Sequence, residues 1–189
     1  MPTRTLRLRL TTWNCRSGSA LVRLQDLAPL KSDIVFLQEC RPDAVLPIEG
    51  HVLTRAVGDR RGVALACLNP ALTLQPLSRR RAPAASLAAV VEGPQPFLLL
   101  ALWSRTPNYQ GDVVQMLDAY ADAIAAQPTV LIGDLNIGWR MGATAPPARR
   151  HRAFERLASD GFVTGACRLR LRAQAPNSAC RRHSVRPCP

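Results

Sequence analysis

Five strand-length apolar runs crowd the middle of the chain: DIVFLQE at 33–39, HVLTRAV at 51–57, GVALACL at 62–68, SLAAVVE at 86–92 and FLLLALW at 97–103. Turn-forming or charged residues separate them, so each reads as its own strand. Helical spacing lies on either side of this block. Leu21, Leu24, Leu27, Ala28 and Leu30 precede most of it, with Ser19 placed to cap the start. Val113, Met116, Leu117, Tyr120 and Ile124 follow it, with Asp112 as the N-cap. Near the N-terminus Leu6, Leu8 and Leu10 alternate with Arg7 and Arg9, which predicts a strand with one buried face, ending in TTWNC. TVLIGDLN, from Thr129, is the last predicted strand, and a short helix over 148–159 is stopped by Asp160-Gly161. This order of elements suits sheets with helices packed outside them. It fits neither a pure sandwich nor a strict βαβ repeat.

A chain of 189 residues is long enough for one domain with a sizeable core. No apolar run is long enough to span a membrane. The opening MPTRTLRLRL lacks the continuous apolar stretch of a signal peptide, so a cytoplasmic location and a monomer are the default expectations. The six cysteines, at 15, 40, 67, 167, 180 and 188, have no framework spacing and read as free thiols. The net charge of +12 could signal a polyanionic partner. Half of it, however, sits in residues 166–189, which hold six arginines and no acid. Lys31 is the only lysine, so the Arg, Ala and Pro richness suggests a GC-rich coding sequence as much as a nucleic-acid surface.

Three apolar strands finish in polar residues of one kind: Asn14 in TTWNC, Glu39 in FLQE, and Asp134 with Asn136 in IGDLN. Each has an ordinary explanation, since Gly, Asp and Asn form turns and a strand end can be solvated. Strand alternation would instead aim Asp134 and Asn136 the same way, at the mouth of a site. If the three strands are neighbours, two carboxylates and two carboxamides share one small space. Carboxylates held that close repel unless a cation sits between them or one takes a proton. Oxygen-only donors suit a hard ion such as Mg²⁺, and no His or Cys group with zinc spacing competes in this part of the chain. A hard ion beside a carboxylate that can orient or deprotonate water is equipment for phosphate-ester hydrolysis.

TTWNC, then DIVFLQE, then VLIGDLN after a longer interval, together with FLLLALW before a helix, resembles the endonuclease/exonuclease/phosphatase superfamily, the deoxyribonuclease I-like group. The resemblance covers roughly residues 5–165. It implies an α/β fold, a four-layer α/β/β/α sandwich, and hydrolysis of phosphodiesters or phosphomonoesters with Mg²⁺ or Mn²⁺. On that resemblance Glu39 is a metal ligand, and Asn14 helps bind metal and phosphate. Asp134 orients or activates the attacking water, and Asn136 holds phosphate and water in line. Nucleic acid is the expected substrate, with other phosphate esters as alternatives.

The family pattern also calls for a late Asp and a Ser-Asp-His near the C-terminus. Here Asp160 is the last acid and His183 lies in RRHSV, so neither is present. His51 and His151 accompany no catalytic motif and read as surface residues, while Trp103 stands where some branches carry His or Tyr. The expected organisation is therefore a domain over 1–165 lacking its C-terminal strands, and a basic tail over 166–189. That tail reads either as disordered by composition or as a product of an out-of-frame segment. Cys167, Cys180, His183 and Cys188 brush against zinc-knuckle spacing but lack a second close Cys pair. Against an impaired phosphodiesterase stands the alternative of a non-catalytic remnant or basic nucleic-acid-binding protein.

Overall fold

Apolar side chains occupy both faces of the central strands because each sheet is covered on both sides. The structure, a computed structural model, describes residues 7–41, 52–58, 60–105, 107, 109–136, 156, 157 and 160. The chain runs through β1 (Leu10–Asn14), α1 (Ala20–Leu27), a 3₁₀ turn (Ala28–Leu30), β2 (Ile34–Cys40), β3 (Val52–Ala56) and β4 (Gly62–Cys67). It continues through β5 (Thr73–Pro76), β6 (Ser86–Glu92), β7 (Phe97–Trp103), α2 (Tyr109–Ala119), α3 (Ala121–Ala126) and β8 (Thr129–Asp134). Two four-stranded sheets result, ordered β1-β2-β4-β3 and β5-β6-β7-β8. In each, one edge strand (β1 or β8) runs parallel to its neighbour, and the remaining pairs are antiparallel.

Strand alternation sorts the core into three layers. Ile34 and Phe36 of β2, Val63 and Leu65 of β4, and Leu87, Ala89, Leu99 and Ala101 of β6 and β7 meet between the sheets. The intervening residues point outward. Val35, Leu37, Ala64 and Ala66 pack under Ala20, Leu24 and Leu27 of α1. Leu98, Leu100 and Leu102 pack under Val113, Met116, Leu117 and Tyr120 of the helical layer. This is the four-layer α/β/β/α sandwich, and it explains why β2 and β7 are continuous apolar runs with no polar face.

Several local expectations change. Among the described residues the first strand, expected from the Leu6–Leu10 alternation into TTWNC, starts only at Leu10, and LTTWN pairs with β2 from Leu10↔Ile34 to Asn14↔Gln38. Asp33 causes the shift by engaging Arg9. The Arg9 N–H donates to Asp33 Oδ2 at 2.6 Å, and the Arg9 carbonyl accepts the Asp33 N–H at 2.8 Å. Asp112 is not an N-cap but lies inside the first turn of α2, where its carboxylate accepts the Arg105 N–H at 2.9 Å. Ser19 does stand at the N-cap of α1, but its side chain makes no capping bond. The helical pattern from Val113 to Ile124 is broken at Tyr120, whose ring is buried and whose hydroxyl donates to the Leu77 carbonyl at 3.0 Å. The edge strand β5 had no signal strong enough to predict it, with only Leu74 buried.

Of the helix expected over 148–159, Arg156 and Leu157 fall among the described residues. Both are helical, and Leu157 packs on the helical face of the second sheet. The boundary at 165, the tail over 166–189 and the missing C-terminal strands lie outside the described residues.

Among the described residues Gly133 is the glycine with the least room for a side chain. Its φ is +136°, and a Cβ there would stand 1.9 Å from the Leu102 carbonyl oxygen of the neighbouring strand. Gly58, at φ +80°, has open space where its Cβ would be. Gly58→Ala should therefore cost about 1–2 kcal/mol for its positive φ alone, and Gly133→Ala, which adds a backbone clash, at least about 3 kcal/mol, in urea unfolding. Equal costs would show that β8 does not pack on β7 as described.

Candidate active site

The ends of β1, β2 and β8 converge although β1 and β8 belong to different sheets. Asn14 closes β1 on the face that carries Leu10 toward the inter-sheet core, and Asp134 closes β8 on the face that carries Val130 and Ile132. Alternation thus aims both side chains into the gap between the sheets. Glu39 needs a different device. The register between β2 and β4 slips between Gln38 and Cys40, leaving Glu39 as an extra residue in a bulge with φ +51°. Without the bulge, Glu39 would take the place that Cys40 fills in the apolar layer under α1. Bulges re-aim single side chains in this way, and a non-glycine residue at positive φ costs about 1–3 kcal/mol.

The Asn14 amide joins the two carboxylates. Its Nδ2 donates one hydrogen to Glu39 Oε1 at 2.8 Å and the other to Asp134 Oδ2 at 3.0 Å. Its Oδ1 accepts the Arg16 N–H at 3.0 Å, which fixes the orientation of the amide, because a flipped group would set NH2 against N–H. Arg16 and Ser17 take left-handed backbone in the turn that follows, and the Ser17 N–H donates to the Glu39 carbonyl at 2.7 Å. The turn reading of Asn14 and the site reading are therefore both true of one side chain.

Asn136 lies two residues beyond the end of β8. Its φ is +50°, and its Nδ2 donates to the Ser104 carbonyl at 3.0 Å. Ser104 also ties down this strand end, with its N–H donating to the Asp134 carbonyl at 3.0 Å and its hydroxyl to the Leu135 carbonyl. The structure thus joins Asn14, Glu39 and Asp134 directly and holds Asn136 at their margin.

Two residues that sequence reasoning missed complete the picture. Ser104 follows the last residue of FLLLALW and gave no signal of its own. Arg61 donates from Nη1 to Glu39 Oε2 at 2.9 Å across the start of β4. An Arg pair immediately before GVALACL was visible, but its partner depends on the bulge.

Among the described residues no group of three or more His, Cys, Asp and Glu side chains is gathered as a metal cage. Glu39 and Asp134 still fit a hard ion of the Mg²⁺ type, which commonly uses one or two carboxylates and keeps several waters. Asn14 presents its nitrogen, not its oxygen, to the carboxylates.

Directly beneath lie Cys15 and Cys40, both buried. Cys167, Cys180, His183 and Cys188 fall outside the described residues. Burial first, then the neighbouring Cys40 thiol, push the Cys15 thiol up from 9.0 to about 12, against the pull of Arg23.

Two packed sheets flanked by helices, with carboxylates from both meeting at the strand ends, define the deoxyribonuclease I-like class. The model of the endonuclease/exonuclease/phosphatase family matches residues 11–181, and the chain belongs to that family. The fold is similar to that of the endonuclease domain of TRAS1, a telomere-specific non-LTR retrotransposon. That likeness has a TM-score of 0.62 at 15% identity, over 82% of this chain and 72% of that one. An AP endonuclease from Archaeoglobus fulgidus is similar at TM-score 0.57 and 19% identity, over 83% of this chain and 72% of that one. A functionally unknown conserved protein from Enterococcus faecalis is similar at TM-score 0.51 and 18% identity; 67% of this chain spans 66% of that protein. A search of curated protein sequences gave no match.

The buried thiol supplies a pH test. The folded protein keeps the Cys15 proton at pH values where the unfolded chain releases it. Stability from this source is whole below pH 9 and is lost as pH rises from 9.0 toward about 12. Cys15→Ala should make the loss of stability above pH 9 shallower by up to about 1.4 kcal/mol per pH unit, read from urea unfolding at several pH values. An unchanged slope would mean the thiol is not buried beneath the site.

Proposed function

We propose that this chain is a divalent-metal-dependent phosphoric ester hydrolase that cleaves phosphodiesters, nucleic acid being its expected substrate. The observation that carries the reading is the Asn14 amide, held against Glu39 from one strand and Asp134 from the opposite sheet. Family membership supports the reaction class. Two of the similar structures are described as endonucleases, which favours nucleic acid over phosphoinositides and small phosphoesters.

In this reading Glu39, with Asn14 and Asp134 beside it, would hold Mg²⁺ or Mn²⁺. A bound hard ion supplies positive charge against the phosphate oxygens. Asp134 accepts a hydrogen bond from the attacking water, orienting it and taking up its proton as the bond to phosphorus forms and the ester P–O bond breaks, the leaving oxygen taking a proton from solvent water. Asn14 keeps that carboxylate turned toward the gap between the sheets. Asn136 spends one of its two amide hydrogens on Ser104. Its second hydrogen can meet a phosphate oxygen. A monomer in the cytoplasm completes the proposal; no helix among the described residues is long and apolar enough to cross a membrane.

Residues 161–189 hold no acid, so these 189 residues by themselves carry no late Asp and no Ser-Asp-His of the family pattern. Loss of one positioned acid–base group commonly lowers rate by about 10²–10⁴, and groups that act together do not multiply. The expected outcome is slow turnover of plasmid DNA, RNA or a bis-phosphate ester that needs Mg²⁺ or Mn²⁺. Glu39→Ala and Asp134→Ala should each remove it. Turnover that survives both substitutions, or a wild-type chain no faster than Asp134→Ala, would favour the non-catalytic reading instead.

A further inference from the structure

Glu39 has both carboxylate oxygens engaged. Oε1 accepts from Asn14 and Oε2 from Arg61. An ion that binds this carboxylate meets two oxygens that each already accept a hydrogen bond, one of them from a cation, and competes with those donors for the same charge. They are not equally held. Asn14 is half-buried, and its amide is anchored through Oδ1 to the Arg16 N–H. Arg61 approaches from the turn between β3 and β4, fixed there by the Val57 N–H donating to the Arg61 carbonyl at 2.7 Å. Its side chain is 53% exposed, against 19% for Glu39. Only Nη1 meets the carboxylate, so this is not the bidentate fork that makes an Arg–carboxylate pair strong. A single-point pair with one exposed partner is among the weaker ion pairs and gives way readily.

The charge arithmetic adds a reason for Arg61 to be there. Glu39 and Asp134 share one amide nitrogen as donor, and two ionised carboxylates that close repel. Asn14 contributes a dipole but no net charge. Among the described residues Arg61 is the cation in contact with the pair. It occupies the electrostatic role that a divalent ion would take, on the outer oxygen of the carboxylate that such an ion needs.

We propose that Arg61 is a built-in competitor for the metal site: its guanidinium neutralises Glu39 when no metal is bound and, as a like charge on the same carboxylate, opposes the arrival of a divalent cation. Arg61 thereby lowers the affinity of the site for the ion while keeping the carboxylate pair tolerable without it. This rests on the metal-dependent reading above, and its test needs no turnover.

Mn²⁺ binding to the purified full chain, without substrate, is followed by calorimetry and by water-proton relaxation. Arg61→Gln should bind Mn²⁺ at least about two- to fivefold more tightly than wild type, as expected for release of an exposed ion pair. The gain should shrink as salt is raised. Arg61→Lys, which keeps a point charge at this position, should stay near wild type and guards against a simple folding effect. In a Glu39→Gln background, Arg61→Gln should give no such gain. Mn²⁺ binding by wild type that is unchanged or weaker in Arg61→Gln would overturn the competition and leave the hydrolase reading standing. No Mn²⁺ binding by either chain would overturn both.

Discussion

One carboxamide holds the two halves of the molecule in functional register. The Asn14 amide reaches Glu39 in its own sheet and Asp134 in the other, at 2.8 and 3.0 Å. For that to happen, the edge strands of two separate sheets must lie face to face at their ends. The apolar layer between the sheets sets this spacing, and Leu10, Val130 and Ile132 carry it to the site itself. Packing makes the geometry, and the amide makes it tolerable for two carboxylates to be neighbours. Without a donor between them, the same packing would force like charges together.

The backbone departs from ordinary strand geometry where this site is built. Glu39 and Asn136 are non-glycine residues at positive φ, and Gly133 sits where any side chain would strike the adjacent strand. Such positions cost stability and persist only when their surroundings over-determine them. Here the surroundings are visible. The Glu39 carbonyl is held by the Ser17 N–H, and Asn136 by the Ser104 carbonyl. The regular strands store the stability; their irregular ends direct the chemistry.

That division also explains what could be read from the sequence. Strands β4, β6 and β7 were legible to within a residue or so, because they are apolar on both faces and bounded by turn formers. The convergence of Asn14, Glu39 and Asp134 was legible because three apolar strands each end in a donor or acceptor of the same kind. The route was not. Nothing in FLQEC announces a bulge at Glu39, and alternation alone would have buried that carboxylate beside Leu37. Alternation likewise carried Asn136 too far, since the strand ends two residues earlier. The first described strand starts later than the Leu–Arg alternation suggests, because Asp33, 24 residues away, engages Arg9. Arg61 and Ser104 act through partners that only the folded chain brings near. Each failure is a long-range contact overruling a local pattern.

The central claim is that Asn14 couples a carboxylate of one sheet to that of the other, and a double-mutant cycle on stability measures this directly. Unfolding free energies of wild type, Asn14→Ala, Asp134→Ala and the double variant are compared at neutral pH and low salt. Once Asn14 is gone, Asp134 contributes only repulsion toward Glu39, so Asp134→Ala should cost less than in wild type or become stabilising. A coupling energy of about 1 kcal/mol or more is expected for a charge-assisted bond of this kind. Effects that simply add, to within about 0.5 kcal/mol, would mean the two side chains do not meet and the site is not built as described.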